Sequence, residues 1–451
     1  MAYEYTHPSA TFLQRVRTQV YYQDAETTET VQQLRRVGLS NRRRNSQNQF
    51  LQSVLGGDVQ FESNFKTGGL DHRLSYGLEI FNTHTSRPRD NTEINLATGV
   101  INKNVAGEVF PNKTFPDTDT LRLGLYLQDE ITLAKGRLTL IPGIRYDYYK
   151  LDPNKSDADF ARINTSNYNV EGFSDSAISP KLGLIFKLTP EVSLFAQYAR
   201  GFRSPPYDDA SIAFTNFAFA YTVLPNADLK PETSNNFEAG VRFSTPRLNA
   251  GVTGFYNRYS NFIDTVFVGN VLIGGRRFQQ FQSQNTSGAE IYGVEAKGEY
   301  RFSSRSDGFS LFTALAYAVG NNLDSNQPLN SIDPFKAVVG LRYRSPADRW
   351  GAELVTTLVA AKDRIDQTGS TSTPSTTTIT NLFRPSGYTT LDFLAFYNFN
   401  PNVTFNVGVF NLLNQKYFQW SDVRGVSAND RNLDLYTQPG INVAASLTIR
   451  F

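Results

Sequence analysis

The chain has 451 residues, enough for two or three soluble domains or one large barrel, and its 44 Lys and Arg against 42 Asp and Glu leave a net charge of +2. That balance gives no electrostatic case for a nucleic-acid partner, and the absence of cysteine excludes disulfides and thiolate sites. Mean hydropathy is −0.37 and no apolar run approaches the roughly 18 residues of a membrane helix, so a helical membrane protein is excluded.

In chain order, Met1-Ala2-Tyr3-Glu4-Tyr5-Thr6-His7 lacks a basic region followed by an apolar core, so no signal peptide is read there. Residues Ala2–Thr6 read as the stub of an ascending strand. From Ala10 onward, segments of about ten residues alternate apolar and polar positions, joined by short and long connections in strict turn. The clearest is Leu121-Arg122-Leu123-Gly124-Leu125-Tyr126-Leu127-Gln128, with leucine at every odd position. Side chains alternate across a strand, so one face is greasy and the other wet. Repeated many times, this pattern predicts an all-β, antiparallel transmembrane β-barrel with lipid outside and a polar lumen. The 13% aromatic content, against 19% charged, matches the aromatic girdles of such barrels.

About seventeen strands are read by this period. Breakers mark the short turns at Lys66-Thr67-Gly68-Gly69, Ala134-Lys135-Gly136, Leu188-Thr189-Pro190-Glu191, Ser244-Thr245-Pro246, Ser345-Pro346-Ala347-Asp348 and Asn400-Pro401-Asn402. Long polar loops are read at Ser86–Thr120, Leu151–Ser176, Arg203–Thr233, Asp264–Gly288, Asn321–Asp333, Lys362–Gly387 and Ser421–Pro439. Within them the Ser/Thr-rich stretch Thr368–Thr380 reads as a mobile outer loop rather than a domain linker, because strand patterning resumes at Tyr388. The last stripe, Ile441-Val443-Ala445-Leu447-Ile449-Phe451, ends in phenylalanine and descends to the inner side. Single-chain bacterial barrels have even strand numbers, and an open edge leaves backbone groups unpaired in lipid. Seventeen strands and no signal therefore imply a processed or engineered product, or a truncated reading frame, with N-terminal material missing.

Several motifs, in order, resemble TonB-dependent outer-membrane receptors. They are Tyr126-Leu127-Gln128-Asp129-Glu130, Leu138-Thr139-Leu140-Ile141-Pro142-Gly143-Ile144-Arg145-Tyr146-Asp147, Gly201-Phe202-Arg203-Ser204-Pro205, Leu229-Lys230-Pro231-Glu232-Thr233-Ser234, Ile291-Tyr292-Gly293-Val294-Glu295 and Val409-Phe410-Asn411-Leu412-Leu413-Asn414-Gln415-Lys416-Tyr417. More narrowly, the chain resembles the haem/haemoglobin (transferrin/lactoferrin-like) branch. Phe202-Arg203-Ser204-Pro205 and Pro225-Asn226-Ala227-Asp228-Leu229 look like its FRAP and NPNL boxes. Phe110-Pro111-Asn112-Lys113-Thr114-Phe115-Pro116 and Pro328-Leu329-Asn330-Ser331-Ile332-Asp333-Pro334 also look like this branch.

The resemblance implies a 22-stranded barrel filled by an N-terminal plug that contacts TonB. It implies a bacterial outer-membrane receptor that takes up haem or a haem protein's iron, with no permanently bound cofactor. On that comparison residues 1–451 form the barrel domain, without the plug and about five strands. A ferric-siderophore receptor and a non-transporting barrel fragment remain the alternatives.

Haem iron needs an axial nitrogen, thioether or phenolate donor. Many members of the branch place a histidine between the two boxes, and this sequence has none there. Tyr221 and Tyr207 are the side-chain donors in that interval, with Tyr221 further out in the loop. Either one ligates iron or both are loop aromatics. Phe214, Phe217 and Phe219 could sandwich a porphyrin face or anchor the loop. Arg203 could pair with a propionate, or with Glu232 or Glu238 in a wall salt bridge. Asn226 belongs to the second box. His7, His72 and His84 lie far from the boxes, with His72 and His84 expected at opposite ends of the barrel, so they read as solvated surface histidines rather than a shared metal site. No G-x-S-x-G elbow or phosphate loop is present, so no enzyme is expected. Asp208-Asp209 reads as solvated loop charge.

Overall fold

The computed structural model describes residues 1–164, 168–286, 288–367 and 381–450. The Ser/Thr-rich loop expectation at 368–380 and the terminal Phe451 lie outside the described residues.

A 19-stranded sheet dominates the molecule. Its wall begins with Ala2–Thr6, Arg15–Val37, Ser40–Thr67, Leu70–Ser86, Thr118–Leu133, Leu138–Pro153, Phe173–Lys187, Val192–Arg203 and Glu232–Ser244. It continues through Leu248–Ser260, Ala289–Arg301, Gly308–Asn322, Lys336–Arg344, Trp350–Val359, Tyr388–Asn400, Val403–Phe410 and Asn442–Ile449. Each pairs antiparallel with the next. Among the described residues these wall strands number seventeen: sixteen lie in the span from Ala10 where about seventeen are read, and Ala2–Thr6, read as a stub, is the other. The two further members, Arg89–Asn95 and Ile101–Asn102, belong to an outer loop.

Register carries the leucine stripe around the wall. Leu125 lies opposite Leu78 on one side and Tyr146 on the other, and Tyr146 opposite Ile178. Leu125 and Leu127 are 46% and 45% exposed, which a soluble sandwich would not tolerate over so many strands. The opposite face is charged. Gly124 sits where Arg145 and Glu79 cross the lumen side, and an added Cβ there would collide with both. Aromatic residues belt the inner rim: Phe309, Tyr343 and Trp350 follow one another at ring separations of 4.9 Å, flanked by Tyr300 on Phe302 and Tyr397 on Phe399. Ring bodies suit the apolar edge of a bilayer and their polar tips its headgroups.

The short turns fall where the breakers predict. Gly68 and Gly69, at φ +57° and +87°, make the mirror-image hairpin turn that only glycine enters without strain. The motif from Val409 to Tyr417 closes a strand end. Asn411 takes φ +52°, its amide donates to Asp392 at 2.7 Å, and its side chain donates to Gln415 and Pro439 carbonyls.

One expectation is corrected. Short and long connections do not alternate strictly, because Arg15–Val37 and Ser40–Thr67 meet at an outer turn of two residues, Gly38 and Leu39. The outer excursion is built by lengthening both strands, so a β-ribbon stands above the wall. The pairing of Ser40–Thr67 with Leu70–Ser86 stops at Leu51 and Ser86, and above it Arg42–Asn48 takes Arg89–Asn95 instead.

Candidate functional site

The outer loops form a cap. Strand Val192–Arg203 ends because Pro205 and Pro206 follow and offer no backbone N–H to the ladder. Its last residue, Arg203, is in register with Glu232, the first residue of the returning strand. The guanidinium donates to Glu232 Oε2 at 2.8 Å, stapling the neck of loop 204–231. Glu232 Oε1 also accepts from the Ile263 amide at 2.9 Å, which ties in the next loop. The wall salt bridge read for Arg203 is present, and 61% of its side chain stays exposed.

Above this neck the two loops build a four-stranded sheet. Phe214–Asn216 pairs antiparallel with Tyr221–Leu224, which runs parallel to Arg276–Asn285, and that strand pairs with Ile263–Ile273. Asn226 is a strut between the loops: its amide donates to the Ser283 carbonyl at 2.8 Å and its oxygen accepts from Asp228 N. Asp209 is not simply solvated. It accepts from the Ser283 hydroxyl at 2.9 Å, and burial pushes its carboxyl above the usual range despite that bond.

Tyr221 lies in this sheet with its ring edge-on to Phe214 at 5.7 Å and Phe281 at 6.2 Å. Burial raises its phenol above the ordinary value, and the hydroxyl has a long 3.5 Å contact from Asn216. Tyr207, on the short helix Tyr207–Ser211, packs edge-on against the buried Phe115 at 5.0 Å and is likewise raised by burial. The two tyrosines therefore belong to different packing groups. The three phenylalanines separate as well. Phe214 contacts Tyr221, Phe217 contacts Phe278 at 5.6 Å, and Phe219 is 72% exposed.

The other boxes are welds. Lys113 reaches Asp117 at 2.7 Å and Asp157 at 3.0 Å, while Asp157 caps helix Ala158–Ala161 through the Asp159 and Phe160 amides. Burial alone would raise Asp157, but the Asp117 amide, Lys113 and the Phe160 amide hold it below the usual range. In the second, Asn330 O accepts from Trp420 Nε1 at 2.7 Å, beside the packed Ile365, Leu382 and Val423. His72 pairs with Asp129 and His84 with Asp119, at opposite ends of one strand as expected.

Below the neck, a hollow of about 650 Å³ opens in the lumen wall, lined by Glu79, Phe81, Arg122, Arg145, Tyr149 and Arg203 among others. Arg145 is held by Glu79 and by Asp147, the latter at 2.7 Å. The Tyr149 hydroxyl donates to the Pro205 carbonyl at 3.0 Å, coupling the hollow to the loop base. In the sequence Arg122 reads only as part of the wet face. Its value lies in what the neighbouring strands place beside it, which no local pattern encodes.

A greasy outer wall, a charged lumen and a welded outer cap define an outer-membrane receptor barrel. Residues 1–412 match the family described as TonB dependent receptor-like, beta-barrel, and the chain belongs to that family of outer-membrane proteins of Gram-negative bacteria. It is 30% identical over 307 residues to the Probable hemoglobin and hemoglobin-haptoglobin-binding protein 4 of Haemophilus influenzae, a match covering 60% of this chain and 29% of that protein. It is 29% identical over 322 residues to the Hemoglobin-haptoglobin utilization protein B of Neisseria meningitidis, covering 64% of this chain and 38% of that one. The matched region thus spans only about a third of these relatives. Among solved structures, the Copper transporter OprC superposes with a TM-score of 0.73 at 18% identity, covering 100% of this chain and 64% of that one.

Proposed function

We propose that this chain is the barrel of a receptor, not an enzyme, that takes up haem or the iron of a haem protein across the outer membrane. The observation that carries this reading is the likeness to haemoglobin-binding relatives, at 30% identity over 307 residues. The welded cap above a charged lumen suits it, since loops capture ligand and the lumen passes it on. In this reading the remainder of the protein supplies a plug that TonB pulls, because the outer membrane holds no nucleotide supply. Haem or a ferric chelate is cargo, not a resident cofactor.

Tyr221 is the iron donor this reading offers, with Phe219 free to meet a porphyrin face. Burial favours the protonated phenol, so ligation would displace a proton and tighten as pH rises. The test is a haem titration of the detergent-folded chain, following the Soret band, beside Tyr221→Phe. A saturable shift abolished in the variant supports both haem and Tyr221. A shift equal in both removes Tyr221 from the site, and no shift in a folded parent removes haem. A ferric chelate is the second reading, favoured by the lack of histidine between Arg203 and Glu232.

A further inference from the structure

Four arginines line the hollow below the loop neck, Arg122, Arg145, Arg200 and Arg203, and two of them are already engaged. Arg203 is paired with Glu232, and Arg145 with Glu79 and Asp147. Neither Arg122 nor Arg200 forms an ion pair among the described residues, and of the two it is Arg122 that aromatic rings brace. Its guanidinium instead lies 5.8 Å from the Phe81 ring centre and 5.5 Å from that of Tyr149. The rings fix its direction without neutralising it, since a cation held by π-faces keeps its N–H groups free. Tyr149 is 2% exposed and anchored to Pro205, so this brace is rigid, while Arg122 itself is exposed toward the hollow.

A braced, unpaired guanidinium in a hollow of about 650 Å³ is built to receive an anion. Its planar fork matches a carboxylate bidentately. We propose that Arg122 binds a propionate carboxylate of the tetrapyrrole as the ligand passes from the cap into the lumen, an assignment that rests on the haem reading above. It moves the carboxylate site from Arg203, whose charge Glu232 already meets, to a residue one level inside the wall. Arg145 does not compete, because two carboxylates hold it, and Arg200 lacks the two-ring brace that aims Arg122.

The experiment compares haem with its dimethyl ester, which keeps iron and ring but loses both carboxylates. Each is titrated into the detergent-folded chain and into Arg122→Gln and Arg122→Lys, with heat-modifiable gel mobility reporting the folded barrel. Arg122→Gln should weaken haem at least tenfold, the scale of a lost charge-assisted bond, and leave the diester unchanged. Arg122→Lys keeps the charge without the fork and should fall between, and it carries the comparison if the Gln variant does not fold. If both variants match the parent on both ligands, or weaken both ligands equally, this inference falls while haem uptake stands. If the folded parent binds neither ligand, the haem reading falls and takes this inference with it.

Discussion

Single side chains in the cap respond to acid in opposite senses. Asp209 is raised by burial, so folding favours its protonated form. Its contribution to docking loop 204–231 on loop 261–288 is full below the ordinary value of 3.8 and is lost as pH rises through the raised folded value. Proteolysis of the cap should therefore slow in acid, and Asp209→Asn should remove that dependence by holding the neutral hydrogen-bonding form at every pH. An unchanged pH profile in the variant would mean that another group governs the docking. The Asp208-Asp209 pair was legible only as charge. Its bond to Ser283 depends on a parallel strand pairing between residues far apart in sequence, which leaves no local trace.

At the scale of elements, the outer ribbon shows how a surface strand is held without a core. Glu93 accepts from Arg44 at 2.6 Å and Arg42 at 3.1 Å, with Arg35 at 3.7 Å, and its side chain is 7% exposed. Burial would raise its pKa, but the hydrogen bonds from Arg44 and Arg42 prevail and lower it. Its contribution is therefore present above the ordinary 4.5 and lost as pH falls through the lowered value, opposite to Asp209. Glu93→Gln leaves these arginines facing each other without an anion and should cost about 2 kcal/mol locally. Amide exchange in Arg89–Asn95 should accelerate more than tenfold while barrel melting stays put. Equal protection in the variant would show that the backbone ladder alone holds the strand. The sequence marks turns well because glycine and proline act locally, as at Gly68-Gly69 and Pro205-Pro206. It marked no loop at Gly38, where the excursion is made of strand.

For the whole molecule, one rule explains both what was legible and what was not. A strand's two faces meet different media, so a period of two is written into every wall segment and gives both the strand count and the lipid side. Lumen and cap follow no period, since their partners are chosen across strands and loops. Arg122 and Leu123 are neighbours in the clearest stripe, yet only the leucine's role could be read from it. The same rule sets the cost of a charge by face, not by size. Leu125 lies mid-strand on the greasy side, while Thr253 lines the lumen beside Glu295. Leu125→Arg should destabilise the barrel in lipid vesicles by about 2–4 kcal/mol, the midplane penalty for a guanidinium. Thr253→Arg should stay within about 0.5 kcal/mol, because a wet wall solvates the charge and Glu295 can pair with it. Denaturant unfolding of both variants in vesicles measures the difference. Equal losses would mean that the two faces meet the same medium, which a membrane-spanning wall cannot satisfy.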